Sequence, residues 1–222
     1  MIPAHIAIIM DGNRRWARVH KLPILEGHRR VANKILETLV EHAAKRGIKY
    51  ITFWAFSTEN WSRSVEEVKG IMLILKKSIG PFGKRMHGKG VRLTVIGDLS
   101  KFDQDIRHAI DDVVELTKHN KRITVTLALN YGGRDEIIRA IKKLRTTMIS
   151  EKDFSHLLDT GGIPDPEFII RTGGEQRLSG FLLWQSEYSE LYFPTFFMPD
   201  FTPERLDEAI REFERRRRRF GR

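Results

Sequence analysis

The sequence predicts an α/β protein: a single domain on a mainly parallel central sheet of about six strands, flanked by helices, with an apolar tunnel beside the sheet. Three observations lead there. Short, nearly continuous apolar runs recur along the chain, separated by stretches of helical periodicity, the pattern of strands buried on both faces and joined by crossover helices. The 222 residues contain no internal repeat and no Ser-, Pro- or Gly-rich linker, so one domain over 1–222 with a sizeable core is the economical organisation. The segment 65–79 is apolar round more than one face, as in a helix that is either buried on several sides or lines an apolar cavity.

The elements follow in order. Ile6 to Met10 is an unbroken apolar run and reads as the opening strand. A helix is predicted from Gly27 to Arg46, with Val31, Ile35, Leu39 and Ala43 on one face and Gly47 as its stop. Ile51 to Phe56 is a strand, and a helix runs from Val65 towards Met86. Val91 to Ile96 is a strand after Gly88 and Gly90, Asp103 to Lys118 a helix and Ile123 to Leu129 a strand. After the Gly132-Gly133 turn a helix is expected over Arg134 to Met148, and Phe168 to Ile170 is a short strand. The last helix starts at Pro203 with Thr202 as N-cap and is expected to end at Gly221.

Composition narrows the function classes. Hydrophobic residues at 41% and charged residues at 31% exclude disordered, collagenous and mucin-like chains. No apolar run exceeds five residues, and the first residues lack a charged-then-apolar leader, so neither a membrane span nor a secretory signal is expected. Without cysteine there is no disulfide, thiolate zinc site or thiol nucleophile, and a cytoplasmic location is the default. The net charge of +10 implies an anionic partner: nucleic acid, anionic lipid or a phosphorylated small molecule. Half of that excess lies in residues 211–222, where seven arginines face two glutamates. A solvated helix end, a membrane surface and a partner contact are all open readings of that run.

In open parallel sheets the ligand sits beyond the carboxyl ends of the strands, and three such ends carry unusual chemistry. Asp11-Gly12-Asn13-Arg14-Arg15-Trp16 joins residues that let the backbone turn sharply, two charged donors and a hard oxygen suited to Mg²⁺, without matching a P-loop or GxGxxG pattern. A structural turn with a solvated basic pair is the other reading. Ser57-Thr58-Glu59-Asn60-Trp61-Ser62-Arg63 is denser in polar groups than a cap requires, although capping alone is also open. Arg171-Thr172-Gly173-Gly174-Glu175-Gln176-Arg177-Leu178-Ser179 places arginines at both ends of a Gly-Gly turn. Together the three loops describe a site for one or two diphosphate-like anions, and the 65–79 helix adds a place for an apolar tail.

These residues resemble a known family. DGNRRWA at 11–17, EGH at 26–28, FSTENWSR at 56–63, NYGGR at 130–134, RTGGEQRLSGFLLWQSEYSEL at 171–191 and RRFG at 218–221 are similar, in order and spacing, to the cis-prenyltransferases, in particular the bacterial undecaprenyl diphosphate synthases or isoprenyl transferases. The aspartate-rich DDxxD helices of the trans-type enzymes are missing. The resemblance implies a homodimeric, Mg²⁺-dependent enzyme that condenses isopentenyl diphosphate with an allylic diphosphate such as farnesyl or geranyl diphosphate. It assigns Asp11 as the essential carboxylate and metal ligand, with Glu190 as a second ligand. Gly12, Asn13, Arg14 and Arg15 would cradle the allylic diphosphate beside Trp16 and His28. Ser57, Thr58 and Glu59 would contact substrate, Asn60 is the family's proton acceptor, and Trp61 and Arg63 would flank the site. Arg171, Arg177, Leu178 and Ser179 would hold isopentenyl diphosphate. Because a neutral amide is a poor base, Asn60 is expected to orient a water or substrate oxygen that takes the proton.

Three positions depart from the family pattern: Ile24 stands where an arginine is common, Gln176 replaces a histidine, and Arg14 occupies a position often glycine. Arg29 and Arg30 are the nearest replacements for the arginine missing at 24. The alternative functions are a diverged member that joins or cyclises allylic diphosphates, and a non-catalytic partner subunit. No specific nucleic-acid binding is expected, since no interleaved aromatic and basic stripe occurs. An enzyme with a long prenyl product is expected to be cytoplasmic and peripheral to the membrane, with the terminal arginines near anionic headgroups.

Overall fold

A computed structural model of the chain describes residues 2–146 and 148–216. Six strands form one sheet in the order β3-β4-β2-β1-β5-β6, with β1 His5–Ile9, β2 Tyr50–Ser57, β3 Val91–Ile96, β4 Ile123–Tyr131, β5 Phe168–Arg171 and β6 Glu190–Tyr192. Every strand pairing among the described residues is parallel, so the expected α/β class holds. The chain builds outward from β1 through β2 to β3 and β4, then returns past β1 to β5 and β6. The order therefore reverses between β1 and β5, where Ile9 pairs with Arg171, and such a switch opens a crevice at the strand ends.

Alternation along the strands produces two cores. Ile6 and Ile8 of β1, with Phe168 and Ile170 of β5, face one cluster with α3 Leu36–Lys45, α5 Gln104–Thr117 and α8 Pro203–Arg215. Ala7, Ile9 and Ile169 face a second cluster with Ala128, Tyr131 and Phe181. Since both faces are covered, all five residues of β1 are buried, which is why the strand reads as an unbroken apolar run. Each such fully buried Ile or Phe contributes about 1.5–3 kcal/mol.

The helices differ from expectation at instructive places. The basic stretch after β1 is not only a turn: it forms α1, Asn13–Val19, once Gly12 has taken the left-handed conformation at φ 97°. The helix expected from Gly27 starts earlier as α2, Leu25–Arg30, and passes through a π turn at Val31–Ile35 before α3. α4 runs Val65–Gly88 with Pro81 inside it, and Gly70 and Gly83 let it approach Leu25 and Val113 closely. α6, Gly133–Lys142, ends short of Met148 in a tightened turn in which Lys143 and Leu144 donate to Ala140 and Ile141. A further helix, α7 Glu151–Leu157, follows; Ser150 caps it by accepting from the Asp153 N–H. Thr202 caps α8 as expected, accepting from the Arg205 N–H. The expected end of that helix at Gly221 and the RRFG motif lie outside the described residues.

Candidate active site

Asp11 follows β1 and lies between two arginines. Its Oδ2 accepts from Arg171 Nη2 at 3.0 Å, and Oδ1 accepts from the Gly12 N–H at 2.5 Å and lies 3.2 Å from Arg15 Nη2. Burial pushes the carboxyl up, but the Arg171 hydrogen bond and charge, the Arg15 charge and the Gly12 N–H outweigh it, so Asp11 titrates below the ordinary aspartate range. The group is a permanent carboxylate at neutral pH, one quarter exposed at the strand end. Its backbone is equally fixed: the Asp11 carbonyl accepts from the Met198 N–H at 3.0 Å and from Thr172 Oγ1 at 2.7 Å.

Arg171 is buried and spends its other nitrogen, Nη1, on the Arg177 carbonyl at 2.6 Å and Ser179 Oγ at 2.8 Å. One guanidinium thus ties the β5 loop to the β1 carboxylate. The Gly173 and Gly174 N–H groups donate to the Phe196 and Pro194 carbonyls rather than facing an anion. Both glycines instead take the left-handed backbone, at φ 88° and 78°, and a Cβ on Gly173 would also lie 2.6 Å from Arg15 Nη2. Arg177 reaches Glu175 Oε2 at 2.6 Å, and Arg15 Nη1 lies 3.6 Å from Glu175 Oε1.

On the opposite wall, Glu67 of α4 receives Arg63 Nη1 at 2.7 Å and Arg14 Nη1 at 3.3 Å. His28 sits beside them. Burial first, then the positive charge of Arg63, lowers its pKa to about 4, against the opposing pull of Glu67. It is neutral at pH 7, and its buried Nε2 has no hydrogen-bond partner among the described residues, as is also true of Asn13 Oδ1. In the 57–62 turn both readings of the sequence coexist. Asn60 Oδ1 accepts from the Ser57 N–H at 3.1 Å in a capping box, and both residues line the site.

These loops surround the mouth of one cavity of about 750 Å³. Its depth is apolar, formed by Val31, Leu36, Ile71, Leu75, Phe82 and Leu129 among others. α4 lines it from Ile71 to Phe82, a distance of about 16 Å at 1.5 Å per residue. The π turn after α2 places Val31, Ala32 and Leu36 on the same wall, a common position for such turns.

A charged mouth on an apolar interior is the geometry of a site for an amphiphile with an anionic head, and comparison with known proteins agrees. The undecaprenyl diphosphate synthase family model matches residues 9–221. The chain belongs to this family of prenyltransferases. The isoprenyl transferase of Clostridium perfringens is 46% identical, the match covering 99% of this chain and 90% of that one. The isoprenyl transferase of Aquifex aeolicus is 41% identical over 100% of this chain and 96% of its own length. Among solved structures, lavandulyl diphosphate synthase from Lavandula x intermedia, in complex with dimethylallyl diphosphate, superposes with a TM-score of 0.95 at 35% identity, covering 100% of this chain and 99% of that one. A probable undecaprenyl diphosphate synthase from Campylobacter jejuni gives 0.83 at 36% identity over 99% of both chains.

In this prenyltransferase the mouth gathers Asp11, Gly12, Asn13, Arg14, Arg15, His28, Ser57, Glu59, Asn60, Arg63, Arg171, Arg177 and Ser179. Five residues singled out from the sequence lie elsewhere. Trp16 donates to Asp200 Oδ1 at 2.8 Å, stacks on His20 and carries Arg30 on its face. Trp61 donates to Asn130 Oδ1 at 2.8 Å and packs edge-on against Phe56 and Phe102. Thr58 packs against Gly132, and Leu178 against the second core. Glu190 pairs with Phe168, about 10 Å down the sheet from Arg171 at 3.3 Å per residue, and its Oε2 accepts from Arg216 at 3.1 Å. One chain therefore does not bring Glu190 to Asp11.

The replacements considered for Ile24 are also committed elsewhere. Arg29 pairs with Glu26, and Arg30 donates to the Pro199 carbonyl at 2.8 Å. Conversely, Arg18, Glu67, Glu175 and Phe197 belong to the mouth or support it, without a distinct sequence signal. Only the helical spacing of Arg14, Arg15 and Arg18, and of Arg63 and Glu67, points to two of them. Phe197 lies under Gly12, where a Cβ would approach its ring to 2.5 Å, and 5.4 Å beneath the Arg15 guanidinium.

Among the described residues no group of three or more His, Asp or Glu is placed to hold a metal. Asp11 alone nevertheless suits Mg²⁺, which keeps several waters and is usually held by one or two carboxylates plus substrate phosphates. The low pKa of Asp11 and its partial exposure satisfy that requirement.

Proposed function

We propose that the protein condenses isopentenyl diphosphate with an allylic diphosphate such as farnesyl or geranyl diphosphate, in a Mg²⁺-dependent reaction that extends a cis-polyprenyl chain. The observation that carries this reading is the single cavity that joins an arginine-lined mouth to an apolar wall along α4.

In this reading Asn13, Arg14 and Arg15 orient the allylic diphosphate, with the unpartnered His28 Nε2 as a further contact. Arg171, Arg177 and Ser179 hold isopentenyl diphosphate across Asp11. Arginine suits both groups because its planar fork matches phosphate oxygens. Mg²⁺ held by Asp11 and phosphate oxygens would neutralise the leaving diphosphate. The primer C–O bond breaks with its electron pair on the diphosphate, the isopentenyl double bond attacks the freed allylic carbon, and one proton leaves to form the new double bond. Apolar residues such as Ile71 and Leu75 would keep water from the cationic carbon. Asn60 Oδ1 is already an acceptor for the Ser57 N–H, so the amide offers the site donors rather than a base. It would hold a diphosphate or water oxygen that receives the proton.

The growing chain would extend along α4 as through a tunnel. Exposed Ile138 and Ile141 of α6 and neighbouring Leu183 support a homodimer through that side. No helix among the described residues is long and apolar enough to cross a membrane; a cytoplasmic enzyme peripheral to the membrane fits a product that must leave into lipid.

Incubation with Mg²⁺, isopentenyl diphosphate and each allylic primer, followed by chromatography and mass spectrometry, decides the matter. Products longer than the primer by whole five-carbon units are expected. A product lacking added units would show instead the joining of allylic diphosphates, and no product would overturn the reading.

A further inference from the structure

The cavity lining carries six arginines against three carboxylates, and five of the six are committed. Arg14 and Arg63 meet on Glu67, Arg15 and Arg171 on Asp11, and Arg177 on Glu175. The sixth, Arg18, lies one turn beyond Arg14 and Arg15 on the face of α1 opposite the buried Trp16 and Ala17. It lines the mouth, is exposed, and its guanidinium has no hydrogen bond or ion pair among the described residues. A paired arginine must share or lose a carboxylate to take a phosphate, whereas Arg18 loses only water. Its place also differs: it stands one helical turn further from the end of β1 than Arg14 and about one turn further than Arg15.

We propose that Arg18 recognises the terminal phosphate of the allylic diphosphate, the group that distinguishes a diphosphate from a monophosphate at this mouth. The assignment rests on the prenyl-transfer reading for the identity of the substrate. Its chemistry, a free guanidinium beside two committed ones, is that of a residue selecting a second phosphate.

The test compares wild type, R18K and R18Q by calorimetric titration with inorganic pyrophosphate and with inorganic phosphate in Mg²⁺ buffer, alongside steady-state kinetics. Loss of one charge-assisted contact is expected to weaken pyrophosphate binding by about tenfold or more in R18Q, less in R18K, with phosphate binding unchanged. The KM for the allylic primer should rise by a similar factor while the KM for isopentenyl diphosphate and the melting temperature stay put. A side chain that only maintained α1 would lower the melting temperature and move both KM values. Equal pyrophosphate affinity in R18Q and wild type overturns the assignment and leaves prenyl transfer standing. If no primer is elongated, prenyl transfer falls, and the pyrophosphate titration still judges Arg18.

Discussion

Arg171 at the end of β5 and Asp11 after β1 are joined by a 3.0 Å hydrogen bond across the point where strand order reverses. Arg15 of α1 meets the same carboxylate from the other side. One aspartate thereby fixes both halves of the mouth, the α1 half proposed for the allylic diphosphate and the β5 half proposed for isopentenyl diphosphate. The Thr172 and Met198 bonds to its carbonyl then leave the Asp11 backbone little freedom.

Replacing Asp11 should therefore affect chemistry more than folding. Asp11→Asn keeps the shape but removes the charge that holds Arg15, Arg171 and a divalent cation. Single-turnover rates are expected to fall by about a hundredfold or more, the range for loss of one preorganised electrostatic group. The wild-type stability advantage over Asp11→Asn follows the low carboxyl pKa: it is fully present above the unfolded value of 3.8 and disappears as pH falls through the lower folded value. Thermal melts from pH 2 to 7 measure that convergence, and a difference independent of pH would remove the charge from the explanation.

His28 has the opposite signature. Its folded pKa of about 4 lies below the ordinary imidazole value of 6.5, so the unfolded chain binds more protons between those limits. Stability attributable to His28 is thus undiminished above pH 6.5, declines as pH falls towards 4 and levels off below it, a loss of about 2 kcal/mol at pH 5. His28→Gln should flatten that part of the stability curve relative to wild type; His5, also lowered to about 4, retains its share in both proteins. A diphosphate beside His28 raises its pKa again, so pyrophosphate binding near pH 6 should take up a proton. Calorimetry in buffers of different ionisation enthalpy reads that uptake.

Glu67 positions two arginines at once, and its removal should be felt at the mouth. Glu67→Gln releases Arg14 and Arg63; those side chains are 48% and 27% exposed but the Glu67 carboxylate only 11%, so a stability loss of about 1–3 kcal/mol is expected. Primer KM and turnover should both worsen by about tenfold. In a double-mutant cycle with Arg63→Gln, strongly non-additive kinetics are expected, because both changes break one contact. Additive losses would mean that Glu67 acts without Arg63.

How much of this was legible in the sequence varies with the range of the interaction. β1 was visible because a parallel strand covered on both faces leaves an unbroken apolar run, and β3 because apolar Val91, Leu93 and Val95 alternate with polar Arg92 and Thr94. The arginine loops were visible because their composition exceeds what turns require. β6 was not, since three half-buried residues form a strand only by pairing with β5. α1 was hidden by its function: Asn13-Arg14-Arg15 reads as a loop until Gly12 turns the chain and Trp16 finds Asp200, 184 residues away. The same distance rule explains the site. Asp11 and Arg171 announce their chemistry locally, whereas the roles of Phe197 beneath Arg15 and of Arg216 on Glu190 depend on contacts that no local pattern encodes.

The wall formed by α4 permits a prediction that separates packing from catalysis on one helix. Gly83 is not part of the cavity lining and packs on α5, where an added Cβ would lie 2.2 Å from Val113 Cγ1 and 2.6 Å from its Cβ. β-Branched Val113 has little freedom to withdraw, so Gly83→Ala should destabilise by about 1–3 kcal/mol through overpacking, the gain in helix propensity notwithstanding. Ile79, four residues earlier and on the cavity side, is buried but lines the apolar wall. Ile79→Ala should cost stability as well, yet it also lengthens the space available to a prenyl chain. The two variants, matched for melting temperature by adjusting the assay temperature, should differ in product length: unchanged for Gly83→Ala, shifted to longer chains for Ile79→Ala. Chromatography of the dephosphorylated products measures the distribution, and a common shift in both would mean that chain length responds to the rigidity of α4 rather than to the volume beside it.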